Sequence, residues 1–67
     1  MSVTRITRHQ PISESARELR AVVSDLDQGM AVSVLCHAAA SYDPWVTDDG
    51  YTVAVDPDSW IVTSPGE

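Results

Sequence analysis

The stretch Ile12–His37, ISESARELRAVVSDLDQGMAVSVLCH, decides the fold. Ile12, Ala16, Leu19, Val23 and Leu26 recur at the alternating spacing of four and three that lines up one stripe of a helix. Ser13 stands where an N-cap is wanted, and Ser15 with Glu18 fits a capping box. Gly29 stands where a left-handed residue ends a helix. The pattern predicts an amphipathic helix over about 13–28, with Glu14, Arg17, Arg20, Ser24 and Asp27 on its wet face. On this reading Asp25 and Asp27 lie in the last turn, where the helix dipole makes an exposed carboxylate cost about 0.3–1 kcal/mol. Residues 30–37, MAVSVLCH, then read as a strand. Val32, Val34 and Cys36 share one face, with Ala31, Ser33, Leu35 and His37 on the other. Apolar residues on both faces suggest a central position.

Working outward, SVTRITR (2–8) reads as a short edge strand ended by Pro11. Residues 38–44 form a loop. The runs 45–47 and 51–55 flank Asp48-Asp49-Gly50, a hairpin signal. In the second run Tyr51, Val53 and Val55 face one way, and Thr52 and Ala54 the other. Asp56-Pro57-Asp58-Ser59 is a further turn and 60–63 a last strand, with 64–67 as a frayed tail. The expected fold is a small two-layer α+β domain spanning 1–67. One amphipathic helix packs on a mainly antiparallel sheet of three or four strands. At 67 residues the chain buries only about 60% of its unfolded surface. The aromatics are Tyr42, Trp45, Tyr51 and Trp60, without Phe, so each tryptophan serves the core, a binding surface or both.

Charge is sorted along the chain. All four cations are arginines (Arg5, Arg8, Arg17 and Arg20), and there is no lysine. With Glu14 and Glu18 they leave residues 1–24 at +2. Residues 25–67 carry eight carboxylates and no cation, hence −8, for a net −6. Such a segment repels nucleic acid and anionic membranes and attracts basic protein surfaces. A single cysteine, Cys36, allows no intrachain disulfide, which favours a reducing, cytoplasmic setting. MSVTRITRHQP has no apolar signal-peptide core, and the charge-free run Gln28–Tyr42 does not read as a membrane span.

Motifs for chemistry are weak. Cys36 and His37 are adjacent, but neighbours on a strand point to opposite faces, so Cys36 reads as a buried inert thiol. No CxxC or HxxxH spacing offers a metal site. Asp43, Asp48 and Asp49 before Gly50 lack the alternating ligands and distant Glu of a calcium loop. Three glycines are too scattered to cradle a phosphate. The expectation is therefore a protein without catalytic residues, metal or cofactor. Asp43, Asp48, Asp49, Asp56 and Asp58 are the candidate partner contacts, joined by Asp25 and Asp27, with Tyr42 and Trp45 as aromatic anchors.

In length, Asp-rich turns and lack of lysine the chain resembles small phage-encoded anti-CRISPR and anti-restriction proteins. That resemblance implies a non-enzymatic, acidic inhibitor of a nucleic-acid-handling host defence complex. Some such proteins act as DNA mimics, offering carboxylates where phosphates would sit. The expected partner is a Lys/Arg-rich protein surface, with no direct contact to nucleic acid or membrane, and the expected state is a monomer or weak homodimer. A second pattern, ISESARELRAVVSDLDQGMAVSV, is similar to the helix, glycine and Val-rich strand of Phd/YefM-type antitoxins. It implies an operator-binding autoregulator. Here the turn Ala38–Gly50 is long and acidic, where those antitoxins carry a short Arg/Gly turn.

Overall fold

A computed structural model describes residues 2–65. The order is β1 (Val3–Thr7), α1 (Ile12–Val22), α2 (Gln28–Ser41), β2 (Trp45–Val46), β3 (Thr52–Val55) and β4 (Ser59–Thr63). The four strands form one antiparallel sheet in the order β1-β4-β3-β2, so β2, β3 and β4 are a meander and β1 is an edge. Two helices pack on one face, which makes a compact α+β domain.

The strand expected at 30–37 is a helix. Read with a period of 3.6 rather than 2, Ala31, Val34, Leu35 and Ala38 fall on one stripe, and all four are buried. Asp27 caps this helix, its carboxylate accepting from the Met30 amide at 2.7 Å. Tyr42 ends it in the left-handed region at φ 61°, with its amide bonded to Ala38 O. The β-branched Val32 and Val34 and the lack of any charge from Gln28 to Tyr42 hid the period. A helix apolar nearly all round shows little amphipathic contrast. The Val-rich strand that carried the antitoxin likeness is therefore α2.

This moves the helix ends. α1 stops at Val22, and Val23–Asp27 connect the two helices. Val23 is buried and Leu26 still packs on the core, so the stripe continues past the helix that produced it. Gly29 lies inside the first turn of α2 and has no positive φ. Asp27 sits at the positive end of α2, not the negative end of α1, so its charge stabilises. Ser13 is not the N-cap; Pro11 is, without a side-chain bond. Gln10 instead donates to Ser15 Oγ (3.2 Å) and Glu18 Oε2 (2.9 Å), while Ser15 Oγ donates to Thr7 O (3.0 Å). These bonds tie the start of α1 to the end of β1.

The core combines Ala16, Leu19 and Val23 from the first helical segment with the α2 stripe and with Ile6, Val53, Trp60 and Val62 from the sheet. Trp60 is buried, and its indole N–H donates to Leu35 O at 3.1 Å. Tyr51, Val53 and Val55 pack inward as the alternation predicts. Gly50 closes the β2–β3 turn at φ 93°, where a side chain would be strained. Ser64 is not frayed: its amide donates to Ser2 O (2.9 Å) and its hydroxyl accepts from the Ser2 amide (2.8 Å). Pro65 is exposed, and Gly66 and Glu67, the end of the expected tail, lie outside the described residues.

The two placements of Asp27 predict opposite signs. Asp27→Ala removes an N-cap and should lower stability by about 1 kcal/mol in urea unfolding. A carboxylate at a helix C-terminus would instead leave the protein more stable when removed.

Candidate functional site

Two turns build one acidic groove. The α1–α2 connector brings Asp25, Leu26 and Asp27, and the β2–β3 turn brings Thr47, Asp48 and Asp49. Val23, Met30, Trp45 and Val46 complete the wall around a volume of about 300 Å³. The connector is held by Arg20, whose Nε donates to Leu26 O (3.2 Å) and whose Nη1 reaches Gln28 Oε1 (3.4 Å). Gln28 in turn donates to Ser13 O at 3.1 Å. The turn is held by a two-way bond between Thr47 and Tyr51: Thr47 N to Tyr51 O (2.8 Å), and Tyr51 N to Thr47 Oγ1 (3.1 Å). Thr47 is buried, so the carboxylates that follow it stand on a fixed base.

The electrostatics of this groove are unbalanced. Asp25, Asp27, Asp48 and Asp49 are all exposed. Among the described residues the ion pairs join Arg5 to Asp56 (3.1 Å) and Arg17 to Glu14 (3.6 Å), with His9 Nε2 3.3 Å from Asp58, an ion pair only when the imidazole is protonated, and none includes a groove carboxylate. Asp49 is held above its ordinary carboxyl value by sharing a hydrogen bond with Asp25, then by partial desolvation and by the charges of Asp25 and Asp48. Arg20 is the cation bonded nearest in the chain, and it is spent on the connector backbone and Gln28.

The nine sequence-predicted contacts therefore divide. Asp25, Asp27, Trp45, Asp48 and Asp49 meet at the groove. Asp56 and Asp58 lie at the other end of β3, a strand and its flanks or about 17 Å away. There they have partners: Arg5 bonds Asp56 and Ser59, Arg8 donates to Asp56 O, and the His9 ring meets Asp58. Tyr42 and Asp43 follow the C-terminus of α2, a helix length or about 20 Å from Asp27. Trp45 has both roles. It packs on the core and edge-on to His37, with centroids 5.0 Å apart, while lining the groove.

Sequence reasoning missed Met30 and Val46, both exposed beside the acidic turns. Met30 fell inside the misread strand, and a capping Asp27 three residues before it is the signal that finds it. Cys36 is exposed on α2 rather than buried, because helical geometry turns it outward between Leu35 and His37. Among the described residues no His, Cys, Asp and Glu cluster is arranged to hold a metal ion. Among the described residues no helix is long and apolar enough to cross a membrane. Comparison with protein-family models, curated proteins and solved structures finds no match to this chain.

The Asp25–Asp49 contact has a pH signature. Asp49 holds its proton more tightly in the folded chain than in the unfolded one. The contribution of this one group to stability is thus fully present at pH below its ordinary value of 3.8 and is lost as pH rises through the raised folded value. Asp49→Asn should raise Tm at pH 7, with the gain over the parent shrinking as pH falls below 4.

Proposed function

We propose that this chain is a non-enzymatic protein-binding inhibitor that sets its acidic groove against a Lys/Arg-rich surface of a nucleic-acid-handling host defence complex. This is the mode of action implied by the likeness to anti-CRISPR and anti-restriction proteins. The observation that carries it is the convergence of Asp25, Asp27, Asp48 and Asp49 without an ion pair among the described residues. A carboxylate that already faces an arginine has little left to offer a partner. Four that face none gain whenever a basic surface arrives, and their field speeds the encounter.

Carboxylates alone would give a loose, salt-sensitive contact. Met30, Val46 and Trp45 beside them supply apolar area that a partner's aliphatic stems can cover. The groove is small, so it suits one or two inserted arginine or lysine side chains better than a long tract of backbone. In this form mimicry of nucleic acid is local. The carboxylates take the place of a few phosphates, and the paired Asp56 and Asp58 stand outside the contact surface.

The test is capture of the target from host lysate with the tagged chain, followed by mass spectrometry and titration of the purified complex. Asp48→Lys with Asp49→Lys should weaken binding at least about tenfold and flatten its salt dependence. Asp43→Lys with Asp58→Lys changes net charge equally but lies outside the groove, and should stay within about twofold. Equal loss from both pairs would reduce the effect to net charge. Capture of a co-encoded toxin, or a shift of the chain's own promoter DNA, would replace the proposal with the antitoxin reading.

A further inference from the structure

The aromatic wall of the groove has a histidine behind it. Trp45 lines the groove, and His37 of α2 packs against the same indole, with ring centroids 5.0 Å apart and planes at 75°. His37 is itself exposed and takes no part in lining the groove. Two chemistries meet in this contact. An aromatic face attracts a cation within about 6 Å of its centre. An imidazole is the side chain that ordinarily becomes a cation as pH falls from about 8 to 5.

The surroundings leave that charge to Trp45. Among the described residues His37 enters no ion pair. α2 carries no charged residue besides it, and β2 and β3 carry none. The titratable groups near it in the chain are Cys36 on α2, and Tyr42 and Asp43 just past the end of that helix. The charged groups of α1, which also packs on α2, are bonded elsewhere: Glu14 to Arg17, Glu18 to Gln10, and Arg20 to Leu26 O and Gln28. On the groove side Trp45 is joined by Asp25, Asp27, Asp48 and Asp49.

We propose that His37 is a pH sensor for the groove: its protonation places a positive charge behind Trp45 and weakens the hold of the groove on a basic partner. The inference rests on the reading of the groove as the seat of an arginine or lysine side chain. A neutral imidazole leaves the indole and the four carboxylates to the incoming cation. An imidazolium takes up the same π system from its own side and repels that cation. Affinity is therefore highest where histidine is neutral and falls as pH drops. By linkage, a bound basic partner lowers the hold of His37 on its proton by the same factor. Two unit charges about 10 Å apart in water make that factor about two at low salt. Salt shortens the range and removes it.

Titration of the whole ¹⁵N-labelled chain with a short arginine-rich peptide, at pH 7.5 and pH 5.5 in low salt, tests this. Arginine stays charged at both. The peptide should move the midpoint of the His37 ring-proton titration down by about 0.3 pH. The Trp45 indole N–H should follow that titration, while the Trp60 indole, bonded to Leu35 O, stays still. His37→Gln falls on an exposed helix position, so the fold is not at risk. The ratio of affinities at pH 7.5 and 5.5 should be about twofold larger in the parent than in His37→Gln. His9→Gln, which changes the other histidine beside Asp58, should keep the parent ratio. Asp49 also takes up a proton on acidification, but it is present in every variant, so the comparison isolates the histidine. A ratio equal in the parent and His37→Gln, or a Trp45 indole that does not move with pH, overturns this inference and leaves the groove as a basic-partner site. A peptide that binds at neither pH overturns the reading of the groove and this inference with it.

Discussion

The packing of α2 against the sheet is the constraint on which the rest depends. Its buried stripe, Ala31, Val34, Leu35 and Ala38, supplies a large share of the core of a chain that has no phenylalanine. Trp60 closes the same contact by filling space beneath the helix and bonding Leu35 O. Because α2 must start beside α1, the five-residue connector has to turn sharply, and Asp27 is the residue that starts the new helix. That turn brings Asp25 and Asp27 up to the β2–β3 hairpin. The acidic groove is thus a by-product of helix packing as much as a feature of the acidic segment.

The same geometry separates two kinds of carboxylate. Asp56 and Asp58 sit at the β3–β4 turn, next to the end of β1, where Asp56 meets Arg5 of that strand and Asp58 meets the His9 ring just beyond it. Asp25, Asp27, Asp48 and Asp49 lie where the topology brings only Arg20, and Arg20 is engaged with backbone and amide groups. Charge that looks uniform along residues 25–67 is, in space, neutralised at one end of the sheet and left open at the other. A field of that shape has a direction, which is what steering of a basic partner needs.

How much of this was legible in the sequence follows from which signals are local. Ala16 and Leu19 of the helical stripe, the Asp-Asp-Gly hairpin and the Asp-Pro-Asp-Ser turn depend on neighbours a few residues apart and lie where the periodicity and turn chemistry put them, whereas Ile12 is exposed and Val23 and Leu26 fall beyond the end of α1. The segment 30–37 is different. A helix buried on one side and merely uncharged on the other gives an apolar run that fits period 2 and period 3.6 alike. Asp27 and the alanines at 38–40 were the deciding signals, since a capping carboxylate followed by good helix formers marks a helix start. Five of nine candidate contacts converge: Asp48 and Asp49 on the hairpin turn that the sequence marks, with Trp45 just before it, and Asp25 and Asp27 on a connector where the sequence pattern predicts a helix end. Asp56 and Asp58 separate because their contacts with Arg5, Arg8 and His9 depend on strand order, which no local pattern encodes, and Tyr42 and Asp43 separate because the segment read as a strand is the helix that carries them away from Asp27.

The central claim is that the open end of this charge distribution, and not the acidity as a whole, receives a basic partner. Titration of the ¹⁵N-labelled chain with a short arginine-rich peptide, at low and at about 0.3 M salt, tests it most directly. The account predicts saturable shifts at residues 25–30 and 45–49, suppressed by salt, with 56–58 unmoved. Shifts spread evenly over all the aspartates, or centred on Asp56 and Asp58, would contradict it.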